Sequence, residues 1–195
     1  MKRALALVVT LVVTLALGVV APAQAGPAKP VPITGAAAGT VTWTPPTTWL
    51  EWPLVTSTFD GRCSVPSVVY QTDELTGILA HLGAVRIEGS ACLQFDFASG
   101  ELVFSDPEVT FTSANGDELR AVVTQIDSTE VEGWVEAEIV DEFIGGTGRF
   151  ANASGSMTYS ARFPAPFAED PFAPWVGDIS GTYRGEISYD ASDRA

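Results

Sequence analysis

From Ser156 to Phe163 the chain alternates without a break. Met157, Tyr159, Ala161 and Phe163 fall on one side, and Ser156, Thr158, Ser160 and Arg162 on the other. A period of two sustained over this length belongs to a strand with one buried face. The run follows Gly145, Gly146 and Gly148, which pass through positive φ more readily than other residues and permit a tight, irregular connection. Together these features commit the chain to pleated sheet with a sharp corner. From about residue 64 onward no stretch carries the 3.6-residue period of a helix.

The same alternation recurs. Val85, Ile87, Gly89, Ala91, Leu93, Phe95 and Phe97 oppose Arg86, Glu88, Ser90, Cys92, Gln94 and Asp96, so Cys92 is expected on the outer face. Residues 108–114 and 118–126 flank Asn115-Gly116, a preferred pair for a tight hairpin. The longest strand expected runs from Glu130 to Phe143 and the last from Asp178 to Asp190. Glycines on the inward parity at positions 89, 133, 181 and 185 suit a sheet that bends strongly. Periodicity alone leaves a two-layer sandwich and a barrel both open.

Gly145-Gly146-Thr147-Gly148-Arg149-Phe150 resembles the Gly-Gly-Thr-Gly-Lys/Arg-Phe element of the allene oxide cyclase and dirigent superfamily, most closely its secreted bacterial barrel-like members. Thr76–Gly83 resembles that group's Gly-x-x-x-His-Leu-Gly segment, Ala114–Asp117 its Ala-Asn-Gly-Asp hairpin, and Gly181–Gly185 its closing strand. The likeness spans residues 60 to 190. It implies an all-β fold: a closed antiparallel barrel of about eight strands, calycin-like and of the allene oxide cyclase type. Cyclases of the group close an unstable fatty-acid epoxide and dirigent proteins steer phenoxy-radical coupling, so the resemblance also implies a ligand held in the barrel interior. Assembly as a trimer is implied by the resemblance alone. The matching residues, Gly145, Gly146, Gly148 and Phe150 among them, are turns and scaffolding, so the resemblance carries over no catalytic residue.

Lys2-Arg3, the apolar stretch Ala4–Val20 and Ala23-Gln24-Ala25 are the three parts of a secretory leader, with cleavage expected after Ala25. The expected organisation is a signal peptide over 1–25, a Pro-rich extended arm or linker over 26–53, and a barrel domain over 54–195. The leader takes two basic residues with it, so the formal charge of −14 becomes −16. Such a surface repels phosphate backbones and anionic lipid, which argues against nucleic acid and against direct membrane binding after cleavage. Cys63 and Cys92, the chain's two cysteines, are expected to pair outside the cell and clip the barrel's exterior. With one histidine and no clustered ligands, no metal site and no cofactor is expected.

Trp43, Trp49 and Trp52 in the arm read as a folded-back segment or as a carbohydrate-stacking platform. Residues 164–175 are too rich in proline for a strand and too apolar for an ordinary loop. They form a flap whose Phe167, Phe172 and Trp175 cover a barrel mouth, present a patch to a partner, or pack against the outer wall.

No Gly-x-Ser-x-Gly elbow accompanies His81, and the resemblance implies instead that it belongs to a strand segment in which it makes a structural hydrogen bond. Glu136 and Glu138 share one strand face, the spacing of a glycosidase pair, yet Glu130, Glu132 and Glu142 share that parity and together read as an acidic outer wall. Asp141 is different: its parity is that of Val135, Ala137, Ile139 and Phe143. It is expected to cap the Gly145-Gly146 turn at the barrel's wet mouth or, as the first candidate, to be a polar group inside the barrel, and Gln125, in register with Leu119, Ala121 and Val123, is the second such candidate. The functions that follow are non-catalytic binding of an apolar small molecule or a cell-envelope partner, a cyclase or isomerase acting within the cavity, or a surface module using the flap. A cavity holding Asp141 or Gln125 favours the first two, and a barrel filled by its own side chains favours the third.

Overall fold

The computed structural model describes residues 29–45, 59–67, 69–96, 101–165 and 174–189. The leader, Trp49, Trp52, Phe167 and Phe172 lie outside them.

Eight strands run in sequence order around a closed antiparallel barrel: β1 Val31–Thr44, β2 Val69–Leu79, β3 Gly83–Asp96, β4 Glu101–Ser113, β5 Glu118–Val131, β6 Trp134–Gly146, β7 Ser154–Pro164 and β8 Trp175–Ser188. β8 closes onto β1 in an unbroken register from Val31↔Ile187 to Trp43↔Trp175. Closure leaves no open sheet edge among the described strands, which removes the pairing hazard of a strand-rich chain.

β1 corrects the arm expected over 26–53 for the part that it occupies, Val31–Thr44. Ile33, Ala37, Val41 and Trp43 point inward and are buried, with Gly35 and Gly39 between them. A Cβ on Gly39 would overlap the Glu74 carbonyl of β2, so the small residues that read as linker composition are what lets β1 and β2 approach. Pro32 stands near the strand's first residue, a position that tolerates proline.

The strand expected over Glu130–Phe143 is also corrected. Glu132 and Gly133 both adopt positive φ, 52° and 79°, and turn β5 into β6. Gly133 is therefore a turn residue rather than an inward glycine, and the pair makes the tight hairpin that its conformation favours.

The eight strands place two kinds of end on the barrel. The β2–β3, β4–β5 and β6–β7 connections share one end, and there the interior is solid. Ile33, Leu79, Phe111, Leu119, Phe150, Met157 and Ile187 are almost fully buried, each large side chain contributing about 2 to 3 kcal/mol by leaving water. The glycine-dense run makes this plug. Gly145 and Gly148 take φ of 103° and 52°, a short 3-10 turn Gly148–Phe150 follows, and Phe150 is driven into the core. Thr147 and Glu118 exchange two hydrogen bonds, Thr147 N to the Glu118 carbonyl at 2.8 Å and Glu118 N to Thr147 Oγ1 at 2.9 Å. His81 sits at this end too, exposed in the β2–β3 turn at φ 67°, which corrects its expected place within a strand. Histidine is among the residues enriched in that conformation.

Cys63 and Cys92 form a disulfide. With Phe59 and Tyr70 they make a small buried cluster apart from the main core, so the bond fastens residues 59–67 to the outer face of β2 and β3.

Candidate functional site

The opposite end of the barrel is hollow. A cavity of about 900 Å3 is walled by Val41, Leu75, Ile87, Val109, Val135, Ile139 and Ile179 among others. Small residues on two strands, Gly89 and Ala91 of β3 and Ala137 of β6, stand at its wall where bulkier side chains would fill it. Tyr159 and Tyr183 line it on the plug side. Their rings stack at 4.2 Å and 12° from parallel, and Phe111 meets Tyr183 edge-on at 5.7 Å. The tyrosine pair thus separates the hollow from the solid apolar end.

Local register explains where the wall opens. Asp106, at φ 51°, and Pro107 lie opposite Ala91 as a bulge in β4, and proline has no N–H to give the ladder. The β4–β5 ladder then spans only Glu108↔Val122 to Thr112↔Glu118 and ends at the bulge. Beyond it Phe104, Pro107, Ile126 and Ser128 line the cavity from both sides of the parted strands.

Two carboxyl groups face the depth of this hollow. Asp141 projects inward from β6, is 2% exposed, and its Oδ1 has no hydrogen-bond partner among the described residues. Burial first, and the neighbouring Asp73 charge second, raise its pKa from 3.8 to about 7. Asp73 projects from β2, where Gln71 Nε2 donates to both of its oxygens at 3.1 and 3.0 Å. Protein atoms enclose its carboxyl although solvent reaches it through the hollow, and burial outweighs the Gln71 bond to raise it to about 6. Gly89 pairs with Asp73 across β2 and β3, and a Cβ there would come within 3.0 Å of Asp73 Oδ2, so this glycine leaves the carboxyl its room. The phenols of Tyr159 and Tyr183 are likewise pushed up by burial, and Tyr159 Oη donates a long bond of 3.5 Å to the Ala37 carbonyl.

Asp141 therefore lies where its parity places it, but Gln125 does not. The β5–β6 register skips Thr124 between Val123↔Asp141 and Gln125↔Val140. This bulge reverses the faces of β5, turns Gln125 to solvent, where it donates to Asp127, and brings Ile126, Ser128 and Glu130 toward the cavity instead. Asp73 escaped the sequence reading. The signal was present, since Asp73 and Gln71 share the parity of Val69, Leu75 and Leu79, but two polar residues in succession on that face mask it.

Trp175 is not part of a flap. It is the first residue of β8, half-buried, with its ring edge-on to Trp43 at 6.0 Å. Glu136, Glu138 and Glu142 are exposed on the outer wall as their shared parity requires. Among the described residues no three potential ligands converge on a metal-sized site. Comparison with family models, curated proteins and solved structures finds no match to this chain.

Proposed function

We propose that this chain is an exported, non-catalytic barrel that holds an apolar small molecule inside it. The observation that carries the reading is the open-ended hollow of about 900 Å3, in the range of roughly 300 to 1,000 Å3 usual for small-molecule sites. Its walls are mainly aliphatic and aromatic, and polar groups in its depth, Asp73, Asp141, Gln71 and the tyrosines among them, are placed to orient a guest. The Cys63–Cys92 bond supports maturation in an oxidising compartment, and with the leader it makes secretion after Ala25 our reading. The segments that resemble allene oxide cyclase barrel-like proteins support membership of that group as a further part of the proposal. Asp117 of the Asn-Gly hairpin packs so closely on Gly148 that a Cβ there would overlap its carboxylate, so two of these motifs form one structural unit.

A second reading is favoured by one observation. Two acids with pKa raised to about 6 and 7 face the same cavity, so near neutral pH one can give a proton while the other receives one, as an isomerase or cyclase requires. The surface-module reading has less support, because Trp175 is turned against Trp43.

Native mass spectrometry of protein purified from its own culture medium tests the proposal. The expected result is an apolar molecule retained by each subunit and absent from an Ala137→Phe variant that fills the hollow. Protein that arrives empty and takes up no apolar probe contradicts it. Conversion of the retained molecule on prolonged incubation, lost in Asp141→Asn, would select the catalytic reading instead.

A further inference from the structure

Resting on the cavity reading above, we infer that the guest is an apolar amine, whose hydrocarbon body fills the hollow and whose protonated nitrogen donates to Asp141 and Asp73. The first ground is geometric. Asp141 is 2% exposed, faces the cavity, and leaves Oδ1 without a donor among the described residues. A buried carboxyl oxygen in that condition has lost its water without gaining a partner, and a guest donor removes that cost.

The second ground is the sign of the lining. Among the described residues no lysine, arginine or histidine borders the cavity, whereas Glu108, Asp127 and Glu130 border its outer part as Asp73 and Asp141 border its depth. A guest bearing a carboxylate would bring a further negative group into a site that already strains to keep two, with no cation to receive it. A neutral alcohol satisfies one hydrogen bond and leaves the charge uncompensated. An ammonium satisfies both, and three donors suit two carboxyl groups.

Aromatic faces add to this. Trp43, Tyr159 and Tyr183 border the same hollow, and ring faces attract a desolvated cation. The chain's formal charge of −14 raises the local concentration of cations near the opening.

The proton balance fixes how binding varies with pH. With the acids protonated, an arriving ammonium displaces a proton from Asp141 or Asp73, and that proton leaves to solvent. Deprotonation of this pair therefore favours the amine, Glu108, Asp127 and Glu130 add attraction from the cavity's outer part, and Tyr159 and Tyr183 stay neutral throughout. Affinity rises from about pH 5 to about pH 8, below the range in which an alkylamine loses its own charge.

Calorimetry with decylamine, decanol and decanoate, matched in chain length, tests the inference. One decylamine is expected per subunit, bound at least about tenfold more tightly than decanol at about pH 8, with decanoate weaker still. Asp141→Asn is expected to erase the preference of amine over alcohol while alcohol binding persists, and Asp73→Asn supplies the same comparison should that variant not fold. Equal or tighter binding of decanol or decanoate overturns the amine inference and leaves the cavity reading standing. Failure of all three overturns both. Decylamine binding that survives in Ala137→Phe places the amine on the acidic outer wall and overturns the inference.

Discussion

Tyr159 of β7 and Tyr183 of β8 stack at 4.2 Å, nearly parallel, between a packed apolar end of the barrel and a hollow one. The stack sets how deep a guest can go, because beyond it Phe111, Met157 and their neighbours leave no space. Replacing Tyr183 by Ala removes a large buried ring and its contacts with both Tyr159 and Phe111. Destabilisation of about 3 to 5 kcal/mol is expected, with a deeper hollow, measurable as a lower urea midpoint and as uptake of longer apolar probes.

The buried acids make stability depend on pH in a defined direction. Asp141 and Asp73 bind protons more tightly in the folded chain than in the unfolded one, where their pKa is near 3.8. Their contribution is therefore fully present below about pH 4 and is lost as pH rises through 6 and 7. In Asp141→Asn that loss is reduced by up to the order of 4 kcal/mol. The melting temperature of the wild type minus that of the variant is expected to fall as pH is raised from about 5 to about 8.

Gly146 is extended, yet a Cβ on it would overlap the Glu118 carbonyl across β5 and β6. Gly146→Ala must push these strands apart beside the Thr147–Glu118 hydrogen-bond pair. A loss of about 2 to 4 kcal/mol in urea unfolding is expected, whereas Gly116→Ala, with open space at its Cβ but a φ of 88°, is expected to lose about 1 kcal/mol.

Cys63 and Cys92 stand 29 residues apart, and opening that loop frees the unfolded chain. Replacing both by Ser is expected to lower stability by about 3 to 4 kcal/mol and release residues 59–67 from β2 and β3, seen as faster amide exchange there. Alkylation of the native protein is expected to find no free thiol.

What the sequence made legible was whatever kept a strict period. The inward set Met157, Tyr159, Ala161 and Phe163 and the lone acid Asp141 follow from parity alone, because β7 and this part of β6 run without interruption. What it hid were the places where the count slips. The Thr124 bulge turned Gln125 outward, and the Glu132-Gly133 turn concealed a hairpin inside one apparent strand, because neither leaves a proline or an Asn-Gly pair as a marker. β1 was hidden for another reason: Gly35, Ala37 and Gly39 are inward residues whose value lies in close backbone approach, which hydrophobic patterning does not register.

The most direct measurement is a carbon-detected NMR titration of aspartate carboxyl groups with and without decylamine. Two aspartates are expected to titrate near 6 and 7 in the free protein and to move below about 5 when the amine is bound, as an ammonium placed against them requires. Asp73 and Asp141 titrating in the ordinary carboxylate range, or keeping their midpoints at saturating amine, would contradict the account.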